Sequence, residues 1–159
     1  MKRLLLSICL TLVFAGAAHA QLPKVYDEQV DPIAQINRAV AEAHRTGRNV
    51  VCQVGGNWCA WCLRFADFIR KDTAVAKVIA DNYVYIHVNY PGKGTAEKVM
   101  ARLDNPKRFG FPVLVVLNGE GKVIHTQDSS FLEEGKSYNS KRVLRFFKCW
   151  TPQAVKGEK

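Results

Sequence analysis

Asn57-Trp58-Cys59-Ala60-Trp61-Cys62-Leu63-Arg64-Phe65 decides the reading of this chain. Two of the five cysteines stand here with two residues between them, each directly after a tryptophan. Alone, such a pair is open to three readings: a structural disulfide, half of a metal site, or a redox-active dithiol. Its surroundings narrow the choice. Asn49 to Val54 is a short apolar run of the kind that forms a buried strand, and Gly55-Gly56-Asn57 is a turn. Beyond the turn, Cys62, Phe65, Ala66 and Ile69 recur at helical spacing. The pair therefore opens a helix that follows a buried strand.

The chain has 159 residues, of which 48% are apolar, enough for one domain with its own core. Its first residues have the form of an export signal. Lys2 and Arg3 are a basic start, Leu4 to Ala18 is nearly unbroken apolar sequence, and Ala18-His19-Ala20 fits a cleavage site. We expect residues 1–20 to be removed near Ala20, leaving 21–159 as a single domain with its core over about 31–150. Such a product is periplasmic or otherwise exported and has no stable membrane insertion. Removing the leader takes away Lys2 and Arg3, so the formal charge falls from +9 to 9 − 2 = +7. Lysine and arginine are scattered through every segment without a basic run, which argues against a nucleic-acid partner and for a solvated basic surface. Four cysteines remain: Cys52, Cys59, Cys62 and Cys149. Outside the cytosol any of them could be paired.

The elements follow from capping and periodicity. Asp31-Pro32 is a helix start, with Ile33, Ile36, Val40 and Ala43 on one face and Gly47 at the end. After the strand and the cysteine helix, Asp72-Thr73 starts a further helical piece carrying Val75, Val78 and Ile79. Tyr83 to Asn89 is a strand, Thr95 to Leu103 a helix, and Phe111 to Leu117 a strand. Asn118-Gly119-Glu120-Gly121 turns the chain into Lys122 to Thr126. Ser129 to Asn139 reads as a loop. Ser140 to Trp150 is a last helix, with Val143, Leu144, Phe147 and Trp150 toward the core. This order gives an α/β fold: a mixed central sheet with helices on both faces and an antiparallel C-terminal hairpin.

A Cys-x-x-Cys opening a helix after a buried strand, in this order of elements, resembles the thioredoxin family. Trp58-Cys59-Ala60-Trp61-Cys62 stands where that family has its Trp-Cys-x-x-Cys, and Gly110-Phe111-Pro112 where it has its cis-proline. The resemblance covers roughly Asp31 to Trp150 and is strongest with exported bacterial thioredoxin-like proteins. It implies a thiol:disulfide oxidoreductase with a redox-active Cys59–Cys62 disulfide, acting on exported proteins and more in the reducing direction. Ala60-Trp61 replaces the Gly-Pro of thioredoxin. Gln53 stands where thioredoxin has a buried aspartate, and His87 where it has a nearby lysine. Those two groups are implied to help move the second cysteine's proton; glutamine cannot accept one, so Gln53 and His87 are relay candidates only.

The chemistry needs an anionic sulfur, since the thiolate is the attacking species. At a helix N-terminus Cys59 faces unpaired N–H groups carrying about half a positive charge. Cys59 is thus the nucleophile and the more enclosed Cys62 the resolving thiol. A purely structural disulfide closing so short a loop would stabilise little. A metal site lacks ligands at suitable spacing, and neither a metal nor a cofactor is expected. Trp58, an exposed Trp61, Phe111 and Pro112 would form the docking surface for partner proteins. Cys52 should face away from the cysteine helix and Cys149 toward it, so both are expected to be buried free thiols. A reductase outside the cytosol needs a membrane-bound thiol donor. The domain is expected to act as a monomer. The alternative is a non-catalytic thioredoxin-fold module that binds peptides or proteins.

Overall fold

The computed structural model describes residues 22–90 and 96–157. The leader and its cleavage site lie outside these residues. The elements run α1 (Pro32–Thr46), β1 (Asn49–Gly55), α2 (Ala60–Lys71), α3 (Thr73–Asn82), β2 (Tyr83–Asn89), α4 (Ala96–Arg102), β3 (Val113–Leu117), β4 (Val123–Asp128), β5 (Glu133–Glu134), β6 (Ser137–Tyr138), α5 (Ser140–Cys149) and α6 (Pro152–Lys156).

One four-stranded sheet, in the order β2-β1-β3-β4, forms the centre. β1 runs parallel to β2 and antiparallel to β3, and β3 runs antiparallel to β4. The expectation of a mixed sheet with a closing hairpin therefore holds. Parallel pairing is confined to β1 and β2; the third strand already runs the other way. β1 is buried along its whole length, which explains its unbroken apolar sequence. Alternation along β1 divides the core in two. Val50, Cys52 and Val54 face Ile36, Ala39 and Ala43 of α1 and Val99 and Met100 of α4. On the other face, Val51 packs with Phe65 and Ile69 of α2, Val75 of α3, and Val143, Phe146 and Phe147 of α5.

Local chemistry sets the boundaries. Asp31 caps α1 by accepting from Ala34 N at 2.8 Å, Pro32 occupies the first turn, and Gly47 closes the helix at φ 65°. Asp72 ends α2 and caps α3, accepting from Ala74 N and Val75 N at 3.1 Å each. Its second oxygen accepts from Ser140 Oγ, tying the start of α5 to the α2–α3 junction. In the β3–β4 turn, Asn118 Oδ1 accepts from Lys122 N at 2.9 Å, and Gly121 takes φ 77°.

Two expectations need correction, and the expected inner face of α5 holds with Phe146 added. Ser129 to Asn139 is not a plain loop: it contains a 3-10 turn (Ser129–Leu132) and the small β5–β6 hairpin. On α5 the buried side chains are Val143, Phe146 and Phe147; Leu144 and Trp150 are half-buried and pack on the edge of the same cluster. The chain also adds α6, which Thr151 caps and Pro152 opens.

Candidate functional site

Cys59 ends the turn after β1 and caps α2 with its own sulfur: Cys59 Sγ accepts the backbone N–H of Cys62 at 3.1 Å. Cys59 and Cys62 are joined in a disulfide, with Cα atoms 5.2 Å apart. Cys62 is fully buried and Cys59 is 8% exposed. No acidic residue lies in the first turn of α2. The positive end of the helix therefore acts on Cys59 without a competing carboxylate, a setting that favours thiolate over thiol.

The rim of the site is apolar. Trp58, 61% exposed, stands edge-on to Phe111 with ring centres 5.5 Å apart. Phe111 is half-buried and packs against the cluster containing Cys59 and Cys62. The Phe111–Pro112 peptide bond is cis, as the Gly-x-Pro resemblance implied, and Pro112 is buried. Trp61 departs from expectation. It is half-buried rather than exposed, because its ring meets Tyr138 edge-on at 5.6 Å. Tyr138 OH also donates to Trp61 O at 3.1 Å, and the Arg64 guanidinium covers the indole at 4.6 Å. The apolar rim thus has Trp58 as its projecting ring, with Trp61 packed as a wall between α2 and β6.

Beneath the disulfide lies a buried polar network. Gln53, fully buried on β1, donates from Nε2 to Tyr26 OH at 2.6 Å and to Cys62 O at 2.9 Å. Its Oε1 accepts from Tyr85 OH at 2.7 Å. Both amide hydrogens and the amide oxygen are engaged, so Gln53 braces the network beneath the disulfide. Burial raises the phenol pKa of both Tyr26 and Tyr85. His87 sits opposite Gln53 in the β1–β2 register, edge-on to Tyr26 at 5.3 Å and to Tyr85 at 5.4 Å. Its Nε2 is enclosed and has no hydrogen-bond partner among the described residues. Burial pushes its pKa down to about 4, so the ring is neutral at physiological pH.

Three tyrosines of this site, Tyr26, Tyr85 and Tyr138, were not read from the sequence. Tyr26 belongs to the lead-in before α1, and Asn57 holds that segment in place. Asn57 Oδ1 accepts from Val25 N and Tyr26 N at 3.1 Å each, and Nδ2 donates to Tyr26 O at 2.8 Å and Glu28 Oε1 at 2.9 Å. The sequence signal was an asparagine closing the Gly55-Gly56 turn, but an asparagine suits a turn for local reasons as well. Tyr138 reaches Trp61 from the β5–β6 hairpin.

The other cysteines stand apart. Cys52 is a buried free thiol on the opposite face of β1, and burial pushes its pKa up to about 12. Cys149 is free but exposed, contrary to the expectation of a buried thiol. It falls on the outer side of α5, next to Lys148, while Phe146 and Phe147 take the inner side. No group of three or more metal-ligating side chains occurs among the described residues.

A dithiol at a helix start, a preceding exposed tryptophan and a cis-proline on the neighbouring strand define a thioredoxin-fold protein with a Cys-x-x-Cys site. The sequence profile of the thioredoxin-like family matches residues 31–119, more than half of the chain, and the chain belongs to that family. It is similar to the thiol:disulfide interchange protein DsbD of Escherichia coli O6:H1 (strain CFT073), 27% identical over 109 residues. That match takes in 67% of this chain and 18% of that protein, so the chain corresponds to less than a fifth of its relative. The same protein from strain K12 is 25% identical over 109 residues, with the same coverage. Among solved structures, a disulphide isomerase from Xylella fastidiosa Temecula1 superposes with a TM-score of 0.66 at 23% identity, over 77% of this chain and 93% of that one. A thioredoxin from Thermus thermophilus gives 0.52 at 20% identity, over 77% and 88%. Both show the fold.

Proposed function

We propose that this chain is a thiol:disulfide oxidoreductase that reduces disulfides of exported proteins. The observation that carries the reading is Cys59 at the α2 N-terminus, bonded to a wholly enclosed Cys62 and edged by an exposed Trp58. The reduced pair starts as a Cys59 thiolate and a Cys62 thiol. Cys59 Sγ attacks one sulfur of the partner's disulfide; a Cys59–partner disulfide forms and the partner's other sulfur leaves as a thiolate. Cys62 then loses its proton to water and attacks Cys59 Sγ. The Cys59–Cys62 bond forms, and the partner's remaining sulfur leaves as a thiolate that takes up a proton. Two electrons have passed from the dithiol to the partner. Trp58, Phe111 and Pro112 are the surface on which an extended partner segment rests.

Export, with residues 1–20 as leader, and a membrane-bound thiol donor that reduces the pair again belong to the same proposal. No helix among the described residues is long and apolar enough to cross a membrane. The resemblance to an interchange protein supports exchange chemistry; the reducing direction rests on the exported branch of the family.

The test is Cys62→Ser in the full chain. An exchanger that cannot resolve should accumulate mixed disulfides through Cys59, visible on a non-reducing gel and absent from Cys59→Ser. No such adducts, together with retained partner binding, would identify the non-catalytic binding module instead. Direction is read from the reduction potential against glutathione. A value near thioredoxin's, about −270 mV, supports a reductase; one near about −120 mV reverses the physiological flow.

A further inference from the structure

We propose that Tyr26 is a positioning residue for the resolving step: its hydroxyl, held under Cys62 by the Gln53 amide, donates a hydrogen bond to Cys62 Sγ when that sulfur is an anion. The inference rests on the exchange function above and adds a residue to it. Three observations carry it. First, Tyr26 is 4% exposed and packs in one cluster with Cys59, Cys62 and Leu63. Second, Gln53 Nε2 donates to the Tyr26 oxygen at 2.6 Å, so that oxygen is an acceptor there and its own hydrogen is directed elsewhere. Among the described residues the Tyr26 hydroxyl accepts from Gln53 and makes no hydrogen bond as a donor in the disulfide state. Third, Cys62 Sγ and Tyr26 OH both pack closely against Gly55. A Cβ on Gly55 would collide with Cys62 Sγ and come within 2.9 Å of Tyr26 OH. The hydroxyl and the sulfur thus lie against the same glycine, which has no side chain to stand between them.

The chemical role follows from the environment. Burial raises the phenol pKa of Tyr26, so the group stays protonated and serves as a donor, never as a base. Its contribution is to favour the Cys62 thiolate in a site where water is largely excluded. The proton of Cys62 goes to water, Tyr26 keeps its own, and the electron pair passes from Cys62 to the Cys59 sulfur as the partner leaves. Asn57 supplies the rigidity, because its four hydrogen bonds to the lead-in fix where the Tyr26 ring enters.

The experiment is a single turnover of the reduced full chain carrying Cys9→Ser and Cys149→Ser, which removes the other reagent-accessible thiols, with 5,5′-dithiobis(2-nitrobenzoate), followed by stopped flow. Attack by Cys59 releases one coloured thiolate, and resolution by Cys62 releases the second. Tyr26→Phe should leave the first phase unchanged and slow the second about tenfold at neutral pH. The pH midpoint of the second phase should rise by about one unit, the shift that matches a tenfold change in thiolate population. Asn57→Ala, which keeps every network side chain but frees the lead-in, should change the second phase in the same direction. The proposal is overturned if either folded variant keeps the wild-type second phase and midpoint, or if both phases slow alike. A wild-type chain with a first phase but no second would instead overturn the exchange function itself.

Discussion

Gln53→Leu tests whether the network beneath the disulfide is held together by the amide. Leucine keeps an apolar side chain of comparable reach but removes three hydrogen bonds, to Tyr26 OH, Cys62 O and from Tyr85 OH. Cys62 O lies inside α2 and retains the helical pairing available to it, so its loss is small. The Tyr85 hydroxyl loses its acceptor and the Tyr26 oxygen its donor, each within the core, at about 1–3 kcal/mol apiece. Burying leucine in place of an amide returns roughly 1 kcal/mol. The net loss should be about 1–5 kcal/mol in urea unfolding of the oxidised chain at neutral pH, with an unchanged m-value. Tyr85→Phe supplies the other half of a cycle. Alone it should cost about 1–2 kcal/mol, because it strands Gln53 Oε1. Combined with Gln53→Leu it removes both partners of one bond, so the double variant should be about 1–2 kcal/mol more stable than the sum of the singles predicts. A Gln53→Leu loss under about 1 kcal/mol, or additivity within about 0.5 kcal/mol, would refute the network as a structural unit.

Two further outcomes are expected. His87 is held neutral by burial, with a folded pKa of about 4 against the usual 6.5. The unfolded chain therefore binds a proton that the folded chain refuses. Stability from this group is present above about pH 6.5 and is lost as pH falls toward 4, by up to about 3 kcal/mol. His87→Phe should flatten that part of a stability-against-pH curve, and an unchanged slope would remove His87 as its cause. Trp58→Ala should change stability by less than about 0.5 kcal/mol, since the ring is 61% exposed. It should weaken exchange with protein disulfides several-fold while sparing small disulfide reagents; equal losses on both would deny it a docking role.

The parts of this molecule governed by local rules were readable in the sequence. Asp31-Pro32 and Asp72-Thr73 start helices as their side chains dictate, and Gly47 ends one. The place of the cysteines on α2 followed from the apolar strand, the glycine turn and the helical spacing after it. The cis-proline followed only from resemblance, because X-Pro bonds are mostly trans. What the sequence hid depends on contacts between distant segments. Trp61 is half-buried because of Tyr138, 77 positions further on. Gln53 is fully satisfied because two tyrosines, one from the lead-in and one from β2, converge on it. Cys149 is exposed because Phe146 and Phe147 took the inner side of α5, a rotation of the helix that its apolar spacing left open. The β5–β6 hairpin was missed because its strands are only two residues long, too short for any alternation to show.

The Asn57 tether bears on where this protein can be cut. Matching to the thioredoxin-like family begins at residue 31 and stops at 119, yet Tyr26 lies before that span and Tyr138 after it. A fragment trimmed to those borders would keep both cysteines and lose the floor on one side and a wall on the other. Its thiols would then titrate in wetter surroundings than nature gives them, and a potential measured on it would describe the fragment only.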